Sequence, residues 1–220
     1  MSGLPTKKIP ATYAEFVKFM DLPTSEGETL SFPASWETYL DLLETVDFTI
    51  EFHENTIYAM SIASDPHEII TSNIITRLNL LLEDEPDMAV RSSNRHIYIK
   101  KYQKDYAPDA HVVKGEPVMH TLRKGLDANT NPWLIVEVLS PSTEKKDWSI
   151  KLPFYKKIPS LKHILYIKQN EPFVSVFNRK GKTNKWENTD YDDLSDFVVL
   201  NKQFKISMKK IYKKVLLQNT

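Results

Sequence analysis

The sequence predicts a mixed α/β domain with one curved central sheet flanked by helices. Three observations predict it. Segments follow one another as helix, hairpin, helix, strands, central strand, helix, hairpin, helix. The most apolar run, Trp133-Leu134-Ile135-Val136-Glu137-Val138-Leu139, is short and rich in β-branched residues, and Asn131-Pro132 and Ser140-Pro141 bound it, as expected of a buried strand. A chain of 220 residues, 41% hydrophobic and 26% charged, suffices for one domain with a sizeable core. There is no internal repeat. Residues 1–35 read as an N-terminal extension and 36–220 as the single domain.

In order along the chain, Ala11 to Met20 looks helical and Leu22 to Pro33 looks like loop. Ser35 to Leu43 is helical, with Trp36, Tyr39, Leu40 and Leu43 on one face at i, i+3, i+4, i+7. Phe48–Phe52 and Thr56–Met60 form a hairpin, with His53-Glu54-Asn55 as the turn and Asn55 able to take positive φ. The clearest helix starts at Asp65-Pro66-His67-Glu68. Asp65 is its N-cap and Pro66 its first residue; Ile70, Ile74, Leu78 and Leu81 line its buried face, and it ends before Pro86. Strands follow at 88–90, 97–99, 110–113 and 133–139, with the polar stretch Lys114 to Asn131 undetermined. A helix over Asp147 to Lys157 should bend at Pro153. His163–Ile167 and Phe173–Phe177 pair as a hairpin, Lys182 to Glu187 adds a strand, and Ser207 caps a last helix running to about Leu217.

Composition excludes several chemistries. Cysteine is absent, so there are no disulfides, thiolate zinc sites or cysteine nucleophiles; this suits a reducing cytoplasm, the expected compartment. Six histidines show no His-x-x-x-His spacing, and five glycines form no phosphate-cradling loop. No run approaches the ~20 apolar residues that span a bilayer, and Met1 to Lys8 lacks an apolar signal core, so neither membrane insertion nor secretion is expected. Lys+Arg and Asp+Glu are both 29, which argues against a basic coat over the whole molecule but not against a local basic groove.

The informative residue is Glu137. A carboxylate inside a buried strand is costly unless it is paired, protonated or bound to metal. Side chains alternate along a strand, so Glu137 shares a face with Trp133, Ile135 and Leu139, opposite Val136 and Val138. Asp109, in Ala107-Pro108-Asp109-Ala110, directly precedes another apolar stretch. Two acids on neighbouring strands can cage a hard divalent cation, the core of many phosphodiester-cleaving sites. Ser140, Ser142 and Thr143 expose hydroxyls after the strand. Asp147, Lys151 and Tyr155 share one face of the next helix, from which Lys151 can reach Glu137 and stabilise charge on a phosphate. The bland readings are a structural ion pair for Glu137, a turn residue for Asp109, a solvated i, i+4 pair for Lys151 and packing for Tyr155. Lysines 202, 205, 209, 210, 213 and 214 read as the solvated face of the last helix, with DNA-backbone contact as the sharper alternative.

Pro108-Asp109, the run Leu134-Ile135-Val136-Glu137-Val138-Leu139-Ser140-Pro141-Ser142-Thr143, and Asp147, Lys151 and Tyr155 resemble the Uma-type restriction endonuclease family of the PD-(D/E)XK nuclease superfamily. Glu51-Phe52-His53-Glu54-Asn55-Thr56-Ile57 resembles its first hairpin, and His67 the histidine opening its first long helix. The resemblance spans about residues 36 to 200. It implies a restriction-endonuclease-like core with Asp109 and Glu137 as metal ligands and catalytic acids. Leu139 stands where the superfamily's usual lysine falls, which points to Lys151 as the catalytic lysine, and Glu51 and His67 become accessory residues. By themselves, Glu51 reads as a solvent-facing hairpin residue and His67 as a helix-start or core histidine. Pro153 and Ile158-Pro159-Ser160 depart from the family pattern. The function implied is Mg²⁺-dependent hydrolysis of nucleic-acid phosphodiester bonds, most simply DNA, with Mn²⁺ able to substitute. Cutting both strands of a duplex would favour a two-fold homodimer. The alternative is an inactive nuclease scaffold that binds nucleic acid or protein.

Overall fold

The computed structural model describes residues 29–217, apart from 47, 61, 62, 124 and 142. The helix expected over Ala11 to Met20 and the hydroxyl of Ser142 lie outside the described residues. The architecture is mixed α/β, with mixed sheets flanked by a few helices.

The first half contains β1 (Thr29–Pro33), α1 (Trp36–Leu43), β2 (Ile50–His53), β3 (Thr56–Met60), α2 (Asp65–Leu81), β4 (Met88–Ser92), β5 (Ile97–Ile99) and β6 (Lys104–Tyr106). Then come β7 (Ala110–Lys114), β8 (Met119–Arg123), β9 (Leu126–Asn129) and β10 (Pro132–Leu139). A helical segment follows: α3 (Glu144–Lys146), a π turn (Asp147–Lys151) and α4 (Leu152–Tyr155). The chain closes with β11 (His163–Lys168), β12 (Val174–Arg179), β13 (Trp186–Tyr191), β14 (Phe197–Val199), β15 (Lys205–Ser207) and α5 (Met208–Ile211).

Two large sheets stand where one curved sheet was expected. One runs β1-β3-β2-β6-β5-β9-β8; the other runs β13-β12-β11-β10-β7-β4. β10 pairs parallel with β11 and antiparallel with β7, so both its edges are covered, which is what an apolar strand requires. Its two faces feed different cores. Leu134, Val136 and Val138 pack with Ile70, Ile74 and Leu78 of α2, while Ile135 and Leu139 pack with Tyr155 and Tyr166. Glu137 therefore lies on the second face, as alternation predicts. Trp133 does not share it. A bulge between Pro132 and Leu134 breaks the alternation, and Trp133 packs on the α2 side.

Local chemistry explains most boundaries. Ser35 caps α1 by accepting the Thr38 N–H at 3.1 Å. Glu54 and Asn55 both take positive φ, the requirement of a two-residue hairpin whose twist matches its strands. The N-cap of α2 is Ser64 rather than Asp65: its Oγ accepts the His67 N–H, and Asp65 becomes the first helical residue. The undetermined stretch 114–131 contains the hairpin β8–β9, and the expected loop before α1 ends in β1, paired with β3. The strand expected over Lys182 to Glu187 begins only at Trp186. The last helix is one turn, not three. Lys214 adopts φ of 67°, and the Asn73 amide donates to the carbonyls of Ile211 and Lys213, ending the helix there. Among the described residues, no helix is long and apolar enough to cross a membrane.

His163 illustrates how burial couples this fold to pH. Its ring packs on Trp133 and its Nδ1 lies 2.6 Å from Asn178 Oδ1; burial, aided by Lys162, brings its pKa down to about 4. The unfolded chain takes up this proton near pH 6.5, before the folded chain does. The stability held by neutral His163 is therefore complete above pH ~6.5 and is lost as pH falls from there towards 4. Between pH 7.5 and 5.5 the wild type should lose about 1 kcal/mol through this residue. Urea denaturation of His163→Gln at the two pH values should show that loss removed. Equal pH dependence in both proteins would mean that His163 titrates in the folded chain as it does in the unfolded one.

Candidate active site

Three elements bring the expected residues to one place. β10 carries Glu137, the β6–β7 connection carries Asp109, and the helical segment carries Asp147, Lys151 and Tyr155. The hairpin β2–β3 adds Glu51 from the other sheet.

Lys151 is the centre. It is 1% exposed, and its Nζ lies 2.8 Å from Glu51 Oε1, 3.1 Å from Glu137 Oε1 and 3.2 Å from Asp147 Oδ1. The Asp147 contact is a charge pair without hydrogen-bond geometry. Burial opposes the ammonium charge, but Asp147, Glu137 and Glu51 outweigh it and hold the pKa well above the usual lysine range. The bland reading of Lys151 as a solvated surface partner of Asp147 is thus replaced: both groups are buried.

Glu137 and Glu51 sit in opposite electrostatic states. Burial pushes the Glu137 carboxyl up to about 8; Lys151 pulls it down, while Asp147, Asp109 and Glu51 add to the rise. Tyr155 donates its hydroxyl to Glu137 Oε1 at 2.6 Å. For Glu51, burial is overcome by Lys146 and Lys151, which bring its carboxyl down to about 2. Lys146 Nζ lies 2.8 Å from Glu51 Oε2, and Glu51 Oε1 also accepts the Ala107 N–H at 3.0 Å. Glu51 is 1% exposed, so it does not face solvent from its hairpin.

Asp109 stands just before β7, where the ladder to β10 ends at Ala110. Its Oδ2 accepts the Val138 N–H at 2.6 Å, and its Oδ1 lies 3.4 Å from His67 Nε2. Burial would lower the His67 pKa, but Asp109 outweighs it and raises it. The structure therefore joins Glu51, Glu137, Asp147, Lys151 and Tyr155 by direct contacts and pairs Asp109 with His67 beside them. Ser140 and Thr143 bond to one another across their loop, as capping residues do.

Lys146 was not singled out by its spacing. On a regular helix, residues five apart point to different faces. Here the Leu152 N–H bonds to Asp147 O, an i to i+5 step, and the widened turn lets Lys146 and Lys151 reach the same carboxylate. Pro153 is the readable signal. It lacks an N–H and would crowd the carbonyl of Ser149 in a regular helix, so the sequence marks this segment as irregular without giving the form.

Among the described residues, no group of three or more His, Cys, Asp or Glu is arranged to hold a metal. What is present is a surplus of carboxylates, Glu51, Asp109, Glu137 and Asp147 against Lys146 and Lys151, with protonatable His67 beside Asp109.

The Uma2 family, described as "Putative restriction endonuclease", matches residues 36–209. "Uncharacterized protein slr1290" of Synechocystis sp. is 29% identical over 167 residues, 76% of this chain and 79% of that protein. "Uncharacterized protein sll1609" of the same organism is 32% identical over 131 residues, 60% of this chain and 72% of that protein. Among solved structures, a putative nuclease belonging to DUF820 from Anabaena variabilis superposes with a TM-score of 0.66, covering 84% of this chain and 100% of that one. At 17% identity this likeness concerns the fold. With the family match extending over most of its length, the chain belongs to the Uma2 family.

Proposed function

We propose that the protein is a nuclease that hydrolyses phosphodiester bonds of DNA in the cytoplasm with the help of Mg²⁺, for which Mn²⁺ can substitute. The observation that carries this reading is the Glu137 carboxylate, buried against Lys151 and electrostatically coupled to Asp109, in a chain of this family.

By chemical type, though not as a preformed cluster among the described residues, the donors suit a hard divalent cation. Asp109 and Glu137 offer carboxylate oxygens; burial, with smaller contributions from Asp147, Asp109 and Glu51, raises the Glu137 pKa, a cost that a bound cation would relieve. Asp109 and Glu137 would hold the metal, which when bound neutralises charge and makes water more acidic. Lys151, fixed by Glu51 and Asp147, supplies a permanent positive charge beside Glu137 to stabilise a phosphate as its negative charge grows. Tyr155 holds Glu137 in place by its hydroxyl, and His67 does the same for Asp109.

One observation favours the second reading, a scaffold that binds without cutting. Lys151 is enclosed by three carboxylates rather than open to substrate. Plasmid and single-stranded DNA, incubated with the protein in Mg²⁺, Mn²⁺ or EDTA, separate the two. The expected result is cleavage in either metal and none in EDTA. Asp109→Asn should reduce cleavage at least about 100-fold, in line with the loss of a key catalytic group. It should change stability by no more than about 1 kcal/mol, because the amide oxygen can still accept the Val138 N–H. Absence of cleavage under every metal condition would support the binding scaffold. Light scattering during size exclusion tests the homodimer.

A further inference from the structure

Away from the carboxylates, the far end of the helical segment carries a group of lysines on aromatic rings. Phe154, three residues after Lys151, meets the rings of Tyr102 and His53 at 5.3 and 5.2 Å. Lys157 lies over both Phe154 and Tyr102, at 4.4 and 4.6 Å from the ring centres, and Lys101 lies 5.5 Å from that of Tyr102. These contacts seat the lysine ammonium groups over ring faces, reducing the ordering cost of a later contact.

The turn between β12 and β13 adds more lysines. It presents Lys180, Lys182 and Lys185, all exposed, and Lys162 Nζ donates to Gly181 O at 3.4 Å. Arg179 fixes this turn to the helical segment. Its guanidinium donates to the carbonyls of Lys156, Ile158, Leu161 and Thr183 at 2.7–3.1 Å and lies 4.4 Å from the Trp186 ring. Among the described residues, Glu54 pairs with Lys104 and Glu187 with Lys180 at this face. In a chain of zero net charge, such a surplus on one face leaves the rest of the molecule net acidic. The C-terminal lysines differ. The Met208 N–H bonds to Asp196 O, which brings the loop of Asp192, Asp193 and Asp196 beside them, and Lys209 acts directly on Asp193.

The face also connects to the carboxylate cluster. His53 Nδ1 lies 2.5 Å from the Tyr106 hydroxyl, and the Tyr106 ring packs on Tyr155 and lies 5.9 Å from Lys151 Nζ.

We propose that this face, from Lys101 and Lys157 to the 180–185 turn, is the track on which a nucleic-acid backbone lies; the inference rests on the nuclease reading above. Exposed ammonium groups in a row suit phosphates, which position a strand without reading its sequence. An acidic protein is the competing occupant, and the test includes it.

The test is fluorescence anisotropy with a labelled 30-base-pair duplex, with single-stranded DNA and with RNA, in EDTA so that binding is read apart from cutting. K101E/K157E/K182E, built at exposed or ring-supported surface lysines, should bind at least 10-fold more weakly than wild type at 100 mM salt. Its plot of log Kd against log salt should be shallower by about 2–3, as expected for three lost phosphate contacts. K209E/K210E should stay within about twofold of wild type, and thermal melting should show all three proteins folded. Wild-type affinity in the triple variant, equal loss in K209E/K210E, no binding by wild type to any of the three nucleic acids, or equal affinity for polyglutamate would each overturn the track. Loss of binding in the triple variant, with no cleavage by wild type in Mg²⁺ or Mn²⁺, would overturn the nuclease reading and leave the track standing. Intact binding in the triple variant with metal-dependent cleavage would do the reverse.

Discussion

Glu137→Gln should be more stable than the wild type at neutral pH and should not cut. The stability gain follows from the direction of the pKa shift. Burial first, then Asp147, Asp109 and Glu51, carry this carboxyl up to about 8 against the pull of Lys151. The unfolded chain loses the proton near pH 4.5, the folded chain only near 8, so ionising Glu137 costs stability throughout that window as pH rises. The slope is about 1.4 kcal/mol per pH unit for one proton. At pH 7 the cost is on the order of 2–3 kcal/mol, allowing for coupling within the cluster. Glutamine is uncharged, can accept the Tyr155 hydroxyl and leaves Lys151 paired with Glu51 and Asp147. Urea denaturation should therefore show the variant ahead at pH 7.5 and level with wild type near pH 5. Cleavage should fall by at least about 1,000-fold, as for loss of a principal electrostatic group. A variant less stable than wild type at pH 7.5 would mean that the Glu137–Lys151 attraction exceeds the cost of burying both charges.

Lys151→Met should have the opposite effect on stability. It removes the ammonium that Glu51, Glu137 and Asp147 share and leaves three buried carboxyl groups facing a thioether. Breaking a buried pair by deleting one partner typically costs about 3–5 kcal/mol, because the remaining charge is uncompensated. Part of this loss should return at pH 5. Burial already raises Glu137 and Asp147, and without Lys151 both should take up protons more readily. A loss equal at pH 7.5 and pH 5 would instead indicate a packing defect. Lys146→Met is the comparison. Lys146 serves one carboxylate and also rests 4.9 Å from the Tyr58 ring, so its loss should cost less, about 1–2 kcal/mol. Glu137→Gln and Lys151→Met together describe a site where the cost of burying a carboxylate and the gain of pairing it pull stability in opposite directions.

Much of this site was legible along the chain. Glu137 stood out because an acid in an apolar, β-branched run needs a partner, and the alternation of a strand told which neighbours it faces. Lys151 and Tyr155 stood out because helical spacing places them on the face of Asp147. Both contacts exist, Lys151 at 3.1 Å and Tyr155 at 2.6 Å from Glu137. Alternation puts Trp133 on the Glu137 face, but a bulge inserts a step that periodicity does not carry and turns it to the α2 side. The final helix was too long, because its end is set by Asn73, more than 130 residues earlier.

Legible from the residues in order were the mixed α/β class, the central strand with its acid, and the lysine nearest to it. All of these rest on local periodicity and on the cost of burying charge. Only packing brings Glu51 across from the second sheet, and only a widened helical turn brings Lys146 and Lys151 to one carboxylate. Packing also lets Asp109 accept the Val138 N–H where the β7 ladder ends. These contacts join residues 29 to 100 positions apart. Their geometry depends on how two sheets and one irregular helix pack, which no local pattern encodes.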